Sequence, residues 1–198
     1  MMRWWLGGMA GVAVVAAAVT LWVEWPAAPR RETLYPGRGT GAAERALVLY
    51  HPSRDAGFAD ALSLAVAAGI AASGMAVDRA TMTDDLPGDA GGAALVVVVS
   101  NTFWFRPDWP TGRYLARARW PGQPVLGLIG GAGSTEAAAR RLHDGLAATG
   151  AEVIDVRQFW RARPNDETRM NEDNVAVALA MAQTLGETTA RAIVERAP

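Results

Sequence analysis

Ser53-Arg54-Asp55-Ala56-Gly57-Phe58 is the stretch whose residue types and placement first suggest chemistry. It follows the apolar run 46–50 and precedes an alanine-rich segment of helical period, so it reads as strand, short polar loop and helix start. The N–H groups of a helix's first turn lack intrahelical partners and carry the positive end of the helix dipole, which makes such a loop a cradle for a phosphate. Ser53 offers a hydroxyl and Arg54 a positive charge. Asp55 opposes an anion, since a carboxylate about 5 Å from a phosphate dianion repels it by several kcal/mol at an effective dielectric of ~20. The same aspartate is also explained as a helix cap, with no ligand at all. The loop therefore predicts a weakened or altered anion site.

Two further loops carry candidates. Ser100-Asn101-Thr102-Phe103-Trp104-Phe105 follows the apolar run 94–99, and Trp104 between two phenylalanines is either core or a platform for a planar ligand. Gly130-Gly131-Ala132-Gly133-Ser134 follows the run 124–129 and offers close backbone approach. Ligands of open α/β sheets bind outside the carboxyl ends of the strands, where all three loops would lie. His51 is read as a proton donor or as a partly exposed structural histidine, and His143 as solvated surface. Arg161, Arg163, Asn165, Asp166 and Glu167 read first as a solvated connection and second as a rim that meets a substrate or partner.

Other chemistries are excluded by what is missing. The chain has no cysteine, which removes thiol catalysis, disulfides and iron–sulfur clusters. It has no Gly-x-Ser-x-Gly elbow and no phosphate-binding Gly-Lys-Ser/Thr run, and its two histidines are too far apart in sequence to suggest a metal site. A net charge of −1 without a basic block argues against nucleic acid as a partner.

The elements that must position these loops follow from periodicity. Strands are expected at 46–50, 75–80, 94–99, 124–129 and 151–156. Helices are expected from Phe58 to Gly74, from Thr111 to Ala118, from a Ser134 cap to Gly150, and from an Asn171 cap onward. The order βαβ, loop, βαβαβα predicts a doubly wound α/β domain. Val96 to Val99 are apolar on consecutive positions, as in the buried centre of a parallel sheet.

The start of the chain reads differently. Trp4 to Val23 holds no charge and no proline, close to the ~20 apolar residues that cross a bilayer, with tryptophans near both ends. A membrane anchor over 1–25 is expected over a cleaved signal peptide. Arginines on both sides lean the orientation slightly toward a cytoplasmic C-terminal domain. Residues 26–45, rich in proline, glycine and alanine, read as a linker, and 46–198 as the domain.

Taken together, the three loops resemble those of the flavodoxin-like family. That family's first loop typically reads Ser/Thr-x-Thr-Gly-Asn-Thr. Here Ser53 fits, while both threonines and the glycine are replaced. Ser100 to Phe105 looks like the family's second loop, with Trp104 or Phe103 as the ring cover, and Gly130 to Ser134 loosely matches the third. The resemblance implies a three-layer α/β/α sandwich around a five-stranded parallel sheet of order 2-1-3-4-5. It also implies bound FMN and electron or hydride transfer to a quinone or a protein partner, such as a membrane redox protein. The alternative is a non-redox binding or assembly module on the same fold, with a decayed cofactor site.

Overall fold

Strands that are apolar on both faces can be satisfied only between two layers of helices. The computed structural model describes residues 14–21, 27–37, 45–52 and 57–196. Its elements in chain order are β1 (Arg31–Tyr35), β2 (Arg45–Tyr50), α1 (Phe58–Ala72), β3 (Ala76–Thr81), β4 (Leu95–Phe103), β5 (Arg106–Pro107), α2 (Trp109–Arg117), β6 (Pro124–Gly131), α3 (Glu136–Ala148), β7 (Glu152–Trp160) and α4 (Asn174–Arg196). A 3-10 turn at Glu167–Arg169 precedes α4, and residues 14–21 are also helical.

Neighbouring strands run β1-β3-β2-β4-β6-β7, with β5 paired to β4. The parallel part, β3-β2-β4-β6-β7, has the order expected from the sequence. Strand periodicity divides the core in two. Val48, Tyr50, Val97 and Val99 point to α1 and α4, where Leu62, Val66, Ala178 and Ala182 meet them. Leu47, Leu49, Val96 and Val98 point the other way, to Tyr114, Leu115, Leu142 and Leu146 of α2 and α3. Each fully buried valine or leucine of this kind contributes about 1.5–3 kcal/mol. Helices α1 and α4 approach backbone to backbone: a Cβ on Gly69 would lie 1.9 Å from Gln183 O, and one on Gly186 would lie 2.4 Å from Val66 O.

Among the described residues the sheet has seven strands, not five. The first addition, β1, comes from residues expected to form a linker, and it pairs antiparallel with β3. Its cause is the charge on β3. Asp78 and Arg79 are buried there, and β1 partners both: Thr33 Oγ1 donates to Asp78 Oδ1 at 2.7 Å, and Arg79 meets Glu32 at 3.1 Å. Arg45 and the carboxylate of Asp60 complete the pairing, and the Arg79 guanidinium stacks 3.6 Å above the Tyr50 ring. The second addition, β5, turns the end of β4 into a hairpin.

A membrane-spanning anchor is the expectation that fails. Among the described residues no helix is long and apolar enough to cross a membrane. The single-pass localisation and its cytoplasmic orientation are therefore corrected; residues 1–13 and 22–26 lie outside the described residues.

Helix ends also differ from expectation. Helix α3 starts after Thr135 rather than Ser134. At α4 the capping oxygen belongs to Asp173, whose Oδ1 accepts from Ala176 N at 2.7 Å, rather than to Asn171. Strand β7 is the free edge of the parallel part and carries a bulge at Ile154. Two of its outward N–H groups are taken by the chain itself. Val156 N donates to Asp155 Oδ1 at 2.8 Å, and Trp160 N donates to Asn165 Oδ1 at 2.8 Å.

Helix α2 holds down the long connection after β3. Arg117 donates to the carbonyls of Leu86 and Thr83, and the Tyr114 hydroxyl donates to Pro87 O at 2.7 Å. Burial pushes the Tyr114 phenol up to about 12, with Arg117 acting in the opposite direction. A phenol pKa raised on folding stabilises fully below the unfolded value, and that stability is lost as pH rises through the folded one. Urea unfolding should show a loss approaching about 2–3 kcal/mol between pH 10 and pH 12 from this group. Tyr114→Phe should flatten that limb, leaving the smaller slope of Tyr50, whose phenol burial also raises. It should cost about 1 kcal/mol at pH 7.

Candidate functional site

The carboxyl ends of β2, β4, β6 and β7 form one rim, and each predicted loop follows one of the first three. After β2, Ser53, Arg54, Asp55 and Ala56 lie outside the described residues. Gly57 is the N-cap of α1, with φ 67° in the left-handed region. The cap residue itself thus offers no side-chain acceptor to the first-turn amides, and the expected Asp55 cap lies outside the described residues. Phe58 is buried beside the β6 loop: a Cβ on Gly130 would lie 3.1 Å from its ring.

After β4, the chain makes a two-residue hairpin turn between paired Phe103 and Arg106. Its central residues, Trp104 and Phe105, have φ of 48° and 59°. Left-handed backbone at both positions is the type I′ arrangement that matches strand twist, but it favours Asn-Gly. For large side chains such a conformation costs of order 1–3 kcal/mol each. The strained residues are also the outward ones, since Trp104 is 60% and Phe105 59% exposed. Trp104 is therefore not core. Its indole meets the edge of Phe103 at 5.8 Å between centroids, and its Nε1 donates to Thr20 Oγ1 at 3.3 Å.

Beneath the hairpin, polar side chains are buried. Asn101 Nδ2 and Thr102 Oγ1 have no hydrogen-bond partner, an arrangement that is costly unless a ligand or water fills it. Ser100 is fully buried; its hydroxyl donates to Asn101 O at 3.2 Å and accepts from Asp108 N at 3.3 Å. Asp108 is the hub. Its carboxylate accepts from Asn101 N at 3.1 Å and from Thr111 N at 3.0 Å, capping α2, and its Oδ2 lies 3.5 Å from His51 Nδ1. Burial alone would raise the Asp108 pKa, but His51 and the donated hydrogen bonds hold it below the usual carboxylate range. His51 has no exposed surface, so it is neither a partly exposed histidine nor open to a rim ligand.

After β6, Gly131 sits between Thr135 and Thr102: a Cβ there would be 2.5 Å from Thr135 Cγ2 and 3.2 Å from Thr102 Cβ. Thr135 Oγ1 donates to Gln158 Oε1 and accepts from Trp160 Nε1, both at 2.8 Å, locking this loop to β7. Ala132 and Ser134 are exposed, and Gly133 faces open space. The charged loop after β7 is more ordered than a solvated connection. Arg163 lies 4.5 Å above the Trp160 ring and pairs with Glu136, while Asn165 is fixed to Asn174.

The structure thus sets Phe58 against Gly130 and Thr102 against Gly131, leaves Trp104 exposed, and buries Ser100. Sequence reasoning missed Asp108 and Thr135. The signal for Asp108 was Asp108-Trp109-Pro110-Thr111, an acidic cap followed by proline in the first turn. Among the described residues no cluster of metal-ligating side chains occurs. An open groove of about 690 Å³ runs between β7 and α4, lined by Arg157, Phe159, Asn165, Met181 and Leu185, and it flanks the rim rather than filling it.

No protein-family profile matches the chain, and no curated protein matches it. Solved structures do match. A flavodoxin from the domain Archaea superposes with TM-score 0.57 at 18% identity, covering 76% of this chain and 99% of that one. A WrbA-like flavodoxin from Agrobacterium tumefaciens gives 0.55 at 14% identity, with 77% and 99% covered. The flavodiiron core of Flv1 from Synechocystis gives 0.58 at 21% identity, covering 79% of this chain and 38% of that one.

The fold is flavodoxin-like.

Within this flavodoxin-like frame the aromatic turn is a local departure from good backbone chemistry. Replacing it with the residues the turn prefers, Trp104→Asn with Phe105→Gly, should raise stability in urea unfolding by about 1–3 kcal/mol. An unchanged or lowered stability would mean that packing of the two rings outweighs the strain.

Proposed function

We propose that this chain binds FMN across the rim and passes electrons or hydride to an acceptor. The observation that supports this reading best is the strained, exposed aromatic hairpin, with Asn101 Nδ2 and Thr102 Oγ1 buried and unpartnered at its base. Both features cost free energy in the chain alone, and a planar ligand stacked on the exposed rings offsets the first. The bare Gly57 cap fits the phosphate end, because nothing on the cap residue competes for the first-turn amides of α1.

In this reading Ser53, Arg54, Ala56 and Gly57 hold the phosphate beside Asp55, and Phe58 seats the loop on β6. Trp104 covers one face of the ring, with Phe103 buttressing it. Ser100, Asn101 and Thr102 set the strand end beside its polar edge, and the backbone of Gly130, Gly131, Ala132, Gly133 and Ser134 closes the other side. When bound, FMN supplies the redox chemistry, which no side chain here provides. The residues bind, orient and exclude water. One fold neighbour is named an NAD(P)H:quinone oxidoreductase, from Methanothermobacter marburgensis, with TM-score 0.51 at 11% identity. That name, together with exposed Trp104, Phe105 and Trp109, supports a quinone beside a redox protein as acceptor.

Titration of FMN into the full chain, followed by flavin fluorescence, tests the proposal. Saturable quenching at about micromolar affinity or tighter is expected. Trp104→Ala should weaken binding by about tenfold, the equivalent of ~1.4 kcal/mol of lost stacking. Absence of binding up to the millimolar range would favour the non-redox module with a decayed cofactor site.

A further inference from the structure

The geometry points to Asp108 as a positioning residue that, through His51, ties the aromatic hairpin to the strand end from which the phosphate loop departs. Three observations carry this. First, Asp108 closes the base of the hairpin in both directions: its carboxylate accepts from Asn101 N at 3.1 Å, and its own N donates to Asn101 O at 2.9 Å. Second, the same carboxylate caps α2 through Thr111 N, so the hairpin's exit is anchored to a helix. Third, His51 Nδ1 lies 3.5 Å from Asp108 Oδ2, with His51 wholly buried and Asp108 2% exposed. His51 stands at the end of β2, two residues before Ser53.

A buried charged cap does not require a histidine; backbone N–H groups suffice to hold an N-cap aspartate. The His51 contact therefore adds something the cap alone does not. It adds a buried side-chain contact between the end of β2 and the base of the hairpin that extends the adjacent strand β4. A hairpin strained at two residues would otherwise relax by shifting at its base, since its tip is exposed. With the link in place, the base of the hairpin, and so its exposed rings, stays in one position relative to the end of β2. The proposal rests on the flavin reading for its purpose but not for its physical content, which concerns only where the hairpin is held.

Hydrogen exchange of the full-length chain, read at the amides of 102–106, separates the two. His51→Leu fills similar volume without an N–H, and His51→Asn restores an N–H near the position of the imidazole Nδ1. The leucine variant should exchange about tenfold or more faster at 102–106, with amides of β6 and α4 little changed, and the asparagine variant should return to the native rate. Uniform acceleration across the domain, or none in the hairpin, would overturn the proposal, because His51 would then be ordinary core. If His51→Leu does not fold, Asp108→Asn keeps the shape and a capping oxygen and should show the same local acceleration. FMN titration of the same proteins gives the second readout. Affinity should fall about tenfold in the leucine variant and recover in the asparagine variant. The exchange pattern across the variants with no FMN binding by native protein would leave the tie standing and remove the flavin reading. FMN binding by native protein without that pattern among the variants would do the reverse.

Discussion

Burial of β4 on both faces is the constraint on which the rest of the structure depends. Leu95, Val96, Val97, Val98 and Val99 have no exposed surface, so helices must cover the sheet above and below, and every loop between strand and helix is driven to one end or the other. Polar chemistry has nowhere else to go. When β4 emerges from the core at Ser100 and Asn101, its side chains change from aliphatic to hydrogen-bonding within one residue, and that transition marks the floor of the candidate site. The neighbouring strands end at the same level because parallel register fixes them: Asn101 pairs with Gly130, and Tyr50 with Val99.

At that level the chain accepts unfavourable local structure. Trp104 and Phe105 hold backbone angles suited to glycine, and polar atoms of Asn101 and Thr102 at the hairpin base stay unpartnered. Asp108 supplies the counterweight, a buried carboxylate that receives hydrogen bonds from two segments and faces a buried histidine. Thr135 plays a similar part on the other side, joined to both Gln158 and Trp160. Rigid supports around a strained, exposed centre suit a surface that must present a ring in one orientation.

The parallel sheet and its order were legible because each strand announces itself by an uninterrupted apolar run followed by a helical period. Strand β1 was not, because Arg31 to Tyr35 alternates exposed and half-buried residues between prolines, and its partners Asp78 and Arg79 lie more than forty positions away. The hairpin was hidden for a related reason: Trp-Phe is the wrong chemistry for a two-residue turn, so the turn rules pass over it. Loop positions could be read, but side-chain direction could not. Ser100 and Trp104 belonged to one motif in sequence, yet the first points into the core and the second out of it. The cap of α1 fell to Gly57 because a left-handed residue at that position ends the loop without any side-chain acceptor.

The bulged edge strand β7 has a consequence for how this molecule meets others. Alternate N–H groups of a strand face its two neighbours, and Arg161 N bonds to Gly131 O, so Val156 and Trp160 face outward. Their N–H groups are already satisfied by Asp155 and Asn165, and the Trp160 carbonyl accepts from Asn165 and Asn174. A foreign strand seeking to lengthen the sheet on this flank would have to displace hydrogen bonds the chain makes with itself. Growth by strand addition is thereby opposed at two outward positions of this edge.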